Sequence, residues 1–80
     1  MATDATTDLA ATVGRNIKAR RKAAGMRQHD LAVALGRGDA MTVSRWERGE
    51  HIPSTEYMVL LAAALECDPG DFYASDRRAA

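Results

Sequence analysis

Most of what makes covalent or metal chemistry easy is scarce in this sequence. There is one cysteine, Cys67, so no internal disulfide can form, and its expected role is that of a small buried apolar residue. The only histidines are His29 and His51, and with a single cysteine they do not make a metal-ligand set. Neither paired carboxylates nor a nucleophile–base set can be assembled, so no enzyme and no cofactor is expected. No apolar run approaches the ~20 residues that a membrane span needs, and no signal-peptide pattern opens the chain. The expectation is a soluble cytoplasmic protein in a reducing compartment. Its 80 residues suffice for one domain that buries roughly 60–65% of its unfolded surface.

Net charge is also missing, with 11 basic and 11 acidic residues. Alone, that balance argues against a nucleic-acid partner. The distribution argues the other way. Residues 14–48 hold nine basic residues against Asp30, Asp39 and Glu47, a balance of +6, while residues 1–13 carry −2 and residues 49–80 carry −4. The molecule is polarised along its sequence, and a fold that keeps this polarity in space presents a basic face.

No segment shows sustained strand alternation, and the pattern is that of five short helices. Residues 1–8 read as a flexible tail ending in Asp8, a cap for a first helix with Leu9, Val13 and Ile17 spaced by four. That helix runs through a basic last turn to Gly25. A second helix spans about Gln28–Leu35 and stops at Gly36. Gly36-Arg37-Gly38-Asp39 is a turn, and Asp39 caps a third helix, Ala40–Arg48, with Val43 and Trp46 on its inner face. Ser54 caps a fourth helix, Thr55 to about Glu66. Asp68-Pro69-Gly70-Asp71 is a last helix start, with Phe72 and Tyr73 closing the core. The domain is expected over residues 9–74, with residues 75–80 as a second flexible tail.

Val13-Gly14, Ile17-Lys18, Arg21, Gly25-Met26, Gln28, Leu31-Ala32 and Leu35-Gly36 form one half of an ordered pattern. Val43-Ser44-Arg45-Trp46-Glu47-Arg48-Gly49, Pro53-Ser54, Leu61-Ala62, Leu65 and Phe72 form the other. The set resembles the lambda-repressor-like, Cro/C1-type (XRE-family) helix-turn-helix domains, from about Val13 to Tyr73. The resemblance implies a five-helix domain that binds double-stranded operator DNA in the major groove, usually as a homodimer. Two departures stand out. The turn after Gly36 holds two residues, Arg37 and Gly38, before the cap, where the family usually has one. The position that caps the second helix, usually threonine or serine, is Arg27. Losing such a cap typically costs about 1 kcal/mol.

On this reading the interface residues are Gln28, Arg37, Ala40, Met41, Thr42, Ser44, Arg45 and Arg48. The resemblance implies a phosphate contact for Gln28, which could otherwise be an exposed helix-start residue. It also implies base reading from the first, second and sixth positions of the third helix, Ala40, Met41 and Arg45. Alanine and methionine can pack on thymine methyls, and arginine can fork onto guanine O6 and N7. Arg45 could instead pair with a neighbouring acid. Thr42 and Ser44 are short donors suited to phosphates, or ordinary exposed positions. Arg48 at the helix end suits the DNA backbone. Arg37 is either a phosphate contact or a free turn residue. For Arg21 and Glu47 the resemblance implies a structural ion pair between the first and third helices. The rival to a DNA-binding repressor is a protein-interaction module, such as an antitoxin or adaptor, which the neutral net charge and the apolar Ala40-Met41 tip favour.

Overall fold

In the computed structural model, residues 5–37 and 39–74 are described, and every regular element among them is helical. The order is α1 (Ala5–Ala23), α2 (Gln28–Ala34), α3 (Ala40–Glu47), α4 (Thr55–Leu65) and a terminal 3-10 helix (Pro69–Tyr73). The fifth helix is thus not an α-helix. Its hydrogen bonds reach back three residues instead of four: Asp71 N–H donates to Asp68 O at 2.9 Å and Ala74 N–H to Asp71 O at 3.3 Å.

The start of α1 corrects the expected N-terminal tail. Residues 5–8 are already helical, so Asp8 lies in the first turn, where its charge suits the helix dipole, and is not the cap. The rest of that tail and residues 75–80 lie outside the described residues. Leu9 is 38% exposed, and Ala10 takes the inward place beside Val13 and Ile17. A four-residue step overshoots a 3.6-residue turn by about 40°, so two such steps carry Leu9 off the inner stripe that Ile17 defines.

All four α-helices end with the same backbone device. A residue in the left-handed region follows the last turn, and the next amide reaches back five residues. Met26 N–H donates to Arg21 O, Arg37 N–H to Ala32 O, Glu50 N–H to Arg45 O and Cys67 N–H to Ala62 O, at 2.9–3.1 Å. Glycine supplies the left-handed residue at positions 25, 36 and 49, but α4 uses Glu66, at φ 58°. That conformation costs an L-residue about 1–2 kcal/mol, whereas glycine loses about 0.5–1 kcal/mol in chain entropy. Glu66→Gly is therefore expected to stabilise the fold by about 0.5–1 kcal/mol in urea denaturation. An unchanged or lower midpoint would show that the Glu66 side chain compensates for its backbone.

The core draws on every element: Val13 and Ile17 from α1, Leu31 from α2, Val43 and Trp46 from α3, Met58 and Leu61 from α4, and Phe72 from the 3-10 helix. Half-buried Cys67 packs against its edge. Two contacts set the frame. At Gly14, α1 lies directly on the backbone of α3: a Cβ there would sit 2.3 Å from Trp46 O and 2.9 Å from Glu47 O. Asn16 Nδ2 donates to Phe72 O at 2.8 Å and Ala74 O at 2.7 Å, tying α1 to the end of the described chain.

Candidate nucleic-acid interface

α2 and α3 form a pair joined by a tight turn, in which Gly36 is left-handed and Asp39 opens α3. Asp39 Oδ1 accepts from Met41 N–H at 2.9 Å, which satisfies one of the free amides of the new helix. Gly38 lies outside the described residues. Arg27 occupies the N-cap of α2 without a side-chain cap, as its chemistry requires. Asp30 compensates from inside the helix, its Oδ2 accepting from Arg27 N–H at 2.9 Å and Arg27 Nε at 3.3 Å. The backbone bond, more than the side-chain one, holds the Asp30 carboxyl below the usual carboxylate range.

The underside of α3 is fixed by burial. Val43 and Trp46 face the core, and Trp46 meets Tyr57 of α4 at 5.4 Å between ring centroids. Beside them lies a carboxylate shared by three helices. Glu47 Oε2 accepts from Arg21 Nε at 2.6 Å, and Oε1 accepts from Arg21 Nη2 and from Gln28 Nε2, both at 3.0 Å. Arg21 Nη1 donates to Met26 O at 2.8 Å. The side chains of Arg21 and Glu47 are only 9% and 3% exposed. Hydrogen bonding to Glu47 raises the Arg21 pKa against the opposing effect of burial.

The opposite side of α3 is open. Met41 is 50% exposed, Arg45 is exposed, and Ala40, Thr42 and Ser44 are half-buried. Arg45 has no acid partner among the described residues. Arg48 does have one: its Nε lies 3.1 Å from Glu50 Oε2, with both side chains about half exposed. A pair so exposed is weak enough to exchange for a phosphate. Gln28 has committed one amide hydrogen to Glu47, which leaves its second hydrogen and its carbonyl to turn outward.

Arg37 is not the free turn residue that the sequence left open. Its Nη1 donates to Tyr57 Oη at 2.6 Å, and its guanidinium carbon lies 5.5 Å from the centre of the Tyr57 ring. The bond to the hydroxyl raises the Arg37 pKa. Tyr57 itself escaped the sequence reading, since no periodicity links residues 37 and 57. Gly14 stood in the sequence pattern, but its close approach to α3 was not drawn from it, although a glycine inside a helical pattern is a signal of such an approach.

Arg20, Arg21, Arg27 and Arg48 each pair with an acid, Arg20 with Asp71 at 3.6 Å, whereas Arg45 on α3 and Arg37 in the turn before it have no ion-pair partner among the described residues. A family model described as helix-turn-helix matches residues 17–72. The chain belongs to the Cro/C1-type helix-turn-helix family. Repressor protein C2 of Salmonella phage P22 is 39% identical over 57 residues, covering 71% of this chain and 26% of that protein. The HTH-type transcriptional regulator DicA of Escherichia coli (strain K12) is 38% identical over 58 residues, 72% of this chain and 42% of DicA. This helix-turn-helix chain thus spans less than half the length of the curated relatives it matches. Among solved structures, the restriction-modification controller protein C.AhdI from Aeromonas hydrophila superposes with a TM-score of 0.74 at 30% identity, over 80% of this chain and 96% of that one. The hypothetical transcription factor NHTF from Neisseria superposes with a TM-score of 0.80 at 26% identity, over 95% and 85%.

Proposed function

We propose that this helix-turn-helix protein is a sequence-specific DNA-binding transcriptional regulator, a repressor, that reads the major groove with α3. The observation that carries it is the two-sided build of α3. Val43, Trp46 and Glu47 lock one side, and the other presents Met41 and Arg45, which has no acid partner among the described residues. The family and the printed names of its relatives, a repressor and a transcriptional regulator, support this over the protein-interaction module. Phosphate contacts from Gln28, Arg37, Thr42, Ser44 and Arg48 supply affinity, and Ala40, Met41 and Arg45 supply sequence choice. No described helix is long and apolar enough to cross a membrane, and a cytoplasmic site of action follows from the DNA partner.

The protein acts as a homodimer on DNA. One eight-residue helix touches few base pairs, and two copies on half-sites one helical turn apart double the readout. Selection of bound sequences from a random DNA pool tests both points. The expected result is an enriched palindrome bound with an affinity that falls steeply with salt. No enrichment, with salt-independent capture of a protein instead, would return the interaction-module reading.

Arg45→Ala is expected to cost about 1–3 kcal/mol of discrimination at one base position and little of the non-specific binding. The check is affinity for the selected site and its single-base variants. Equal proportional loss on every sequence would demote Arg45 to a phosphate contact.

A further inference from the structure

Tyr57 stands at a junction of three elements. It is the third residue of α4, and its N–H donates to Ser54 Oγ at 3.2 Å, so the helix cap fixes its backbone. Its ring lies against Trp46, which is 5% exposed and belongs to α3. Its hydroxyl accepts from Arg37, the exposed arginine of the turn that leads into α3. A ring held on two sides has little freedom, and the hydroxyl at its tip is correspondingly fixed in space.

Arginine on an exposed turn ordinarily samples many rotamers, and immobilising it on a ligand carries an entropic penalty. Here the guanidinium is already held, by one of its five N–H donors and by the ring. The remaining donors stay available on a planar fork suited to phosphate. The place is right for such a contact, two residues before the Asp39 cap of the helix with the outward Met41 and Arg45. We propose that Tyr57 is a positioning residue for DNA binding, which holds Arg37 in advance as a phosphate clamp at the lengthened turn. The inference rests on the DNA-binding reading above and adds to it a residue on α4 that touches no DNA itself.

The test uses Arg37→Ala, Tyr57→Phe and the double variant of the full chain, with affinity for the selected DNA measured across a salt series. Phenylalanine keeps the ring on Trp46 and removes only the hydroxyl, so the melting temperature of Tyr57→Phe should stay at the wild-type value. Its affinity should fall about threefold to tenfold, the effect of one arginine no longer held in place. Its salt slope should be unchanged, because the Arg37 charge is still present. Arg37→Ala should bind more weakly on all sequences and lower the salt slope by about one unit. The double variant should bind like Arg37→Ala alone, since the hydroxyl acts only through the guanidinium. Tyr57→Phe binding like wild type, additive losses in the double variant, or an unaltered slope in Arg37→Ala would each overturn the assignment while leaving DNA binding intact. A wild-type protein without salt-dependent DNA binding would overturn both readings together.

Discussion

Glu47→Ala is expected to lower the unfolding free energy by about 3–5 kcal/mol, the range for removing one partner of a buried ion pair. The magnitude follows from what is left behind. Arg21 would keep its charge at a side-chain exposure of 9% with only Met26 O as acceptor, and Gln28 Nε2 would lose its bond as well. A chain of 80 residues has about 4–12 kcal/mol of total stability, so the loss is a large fraction of it. Each kcal/mol moves the melting midpoint of a domain this size by about 4–8 °C, which places the drop at about 12 °C or more. Replacing both residues by apolar ones, Arg21→Met with Glu47→Leu, should recover part of the loss because no buried charge remains unpaired. A melting temperature for Glu47→Ala equal to that of wild type would mean that the carboxylate contributes nothing net where three helices meet.

The second large effect runs against helix propensity. In an open helix Gly→Ala is worth about 1 kcal/mol of stabilisation. At position 14 the added methyl would sit 2.3 Å from Trp46 O and 2.9 Å from Glu47 O, against an ordinary carbon–oxygen contact of about 3.3 Å or more. Both obstacles are backbone atoms and cannot rotate away. α3 would have to retreat from α1 by about an ångström, and the Arg21–Glu47 bonds would stretch with it. Gly14→Ala should therefore destabilise the fold by about 2–3 kcal/mol and, by tilting α3, weaken the proposed DNA binding further. Gly70→Ala is the control, since nothing lies within 4 Å of a Cβ there and its φ is outside the left-handed range. Thermal denaturation of the two variants decides the matter, and a Gly14→Ala protein as stable as wild type would refute the close approach.

The features legible in the sequence are those written locally. Asp39 and Ser54 are legible as caps because capping chemistry spans three residues. Gly25, Gly36 and Gly49 mark helix ends because glycine is the usual residue there. Val43 and Trp46, three apart, fix the inner side of α3 and leave Met41 and Arg45 outside. Glu66 gave no such signal, since glutamate favours helix interiors. Contacts between distant residues left no local trace either, as with Arg37 and Tyr57 or Asn16 and the chain near Ala74. Asp30 could have been found, because an acid three residues after a missing cap is half of a capping box.

Asn16 finds its two acceptors 56 and 58 positions further along the chain. A ribosome adding about 5–20 residues per second takes roughly 3–11 s to make that stretch. Until Phe72 and Ala74 emerge, α1 lacks the two acceptors that tie Asn16 to the end of the fold, and Phe72 is missing from the core that holds Val13 and Ile17. The nascent chain therefore completes this domain only once residues 72–74 have emerged. A translational pause between α4 and the 3-10 helix would lengthen the interval in which the unfinished domain can be degraded.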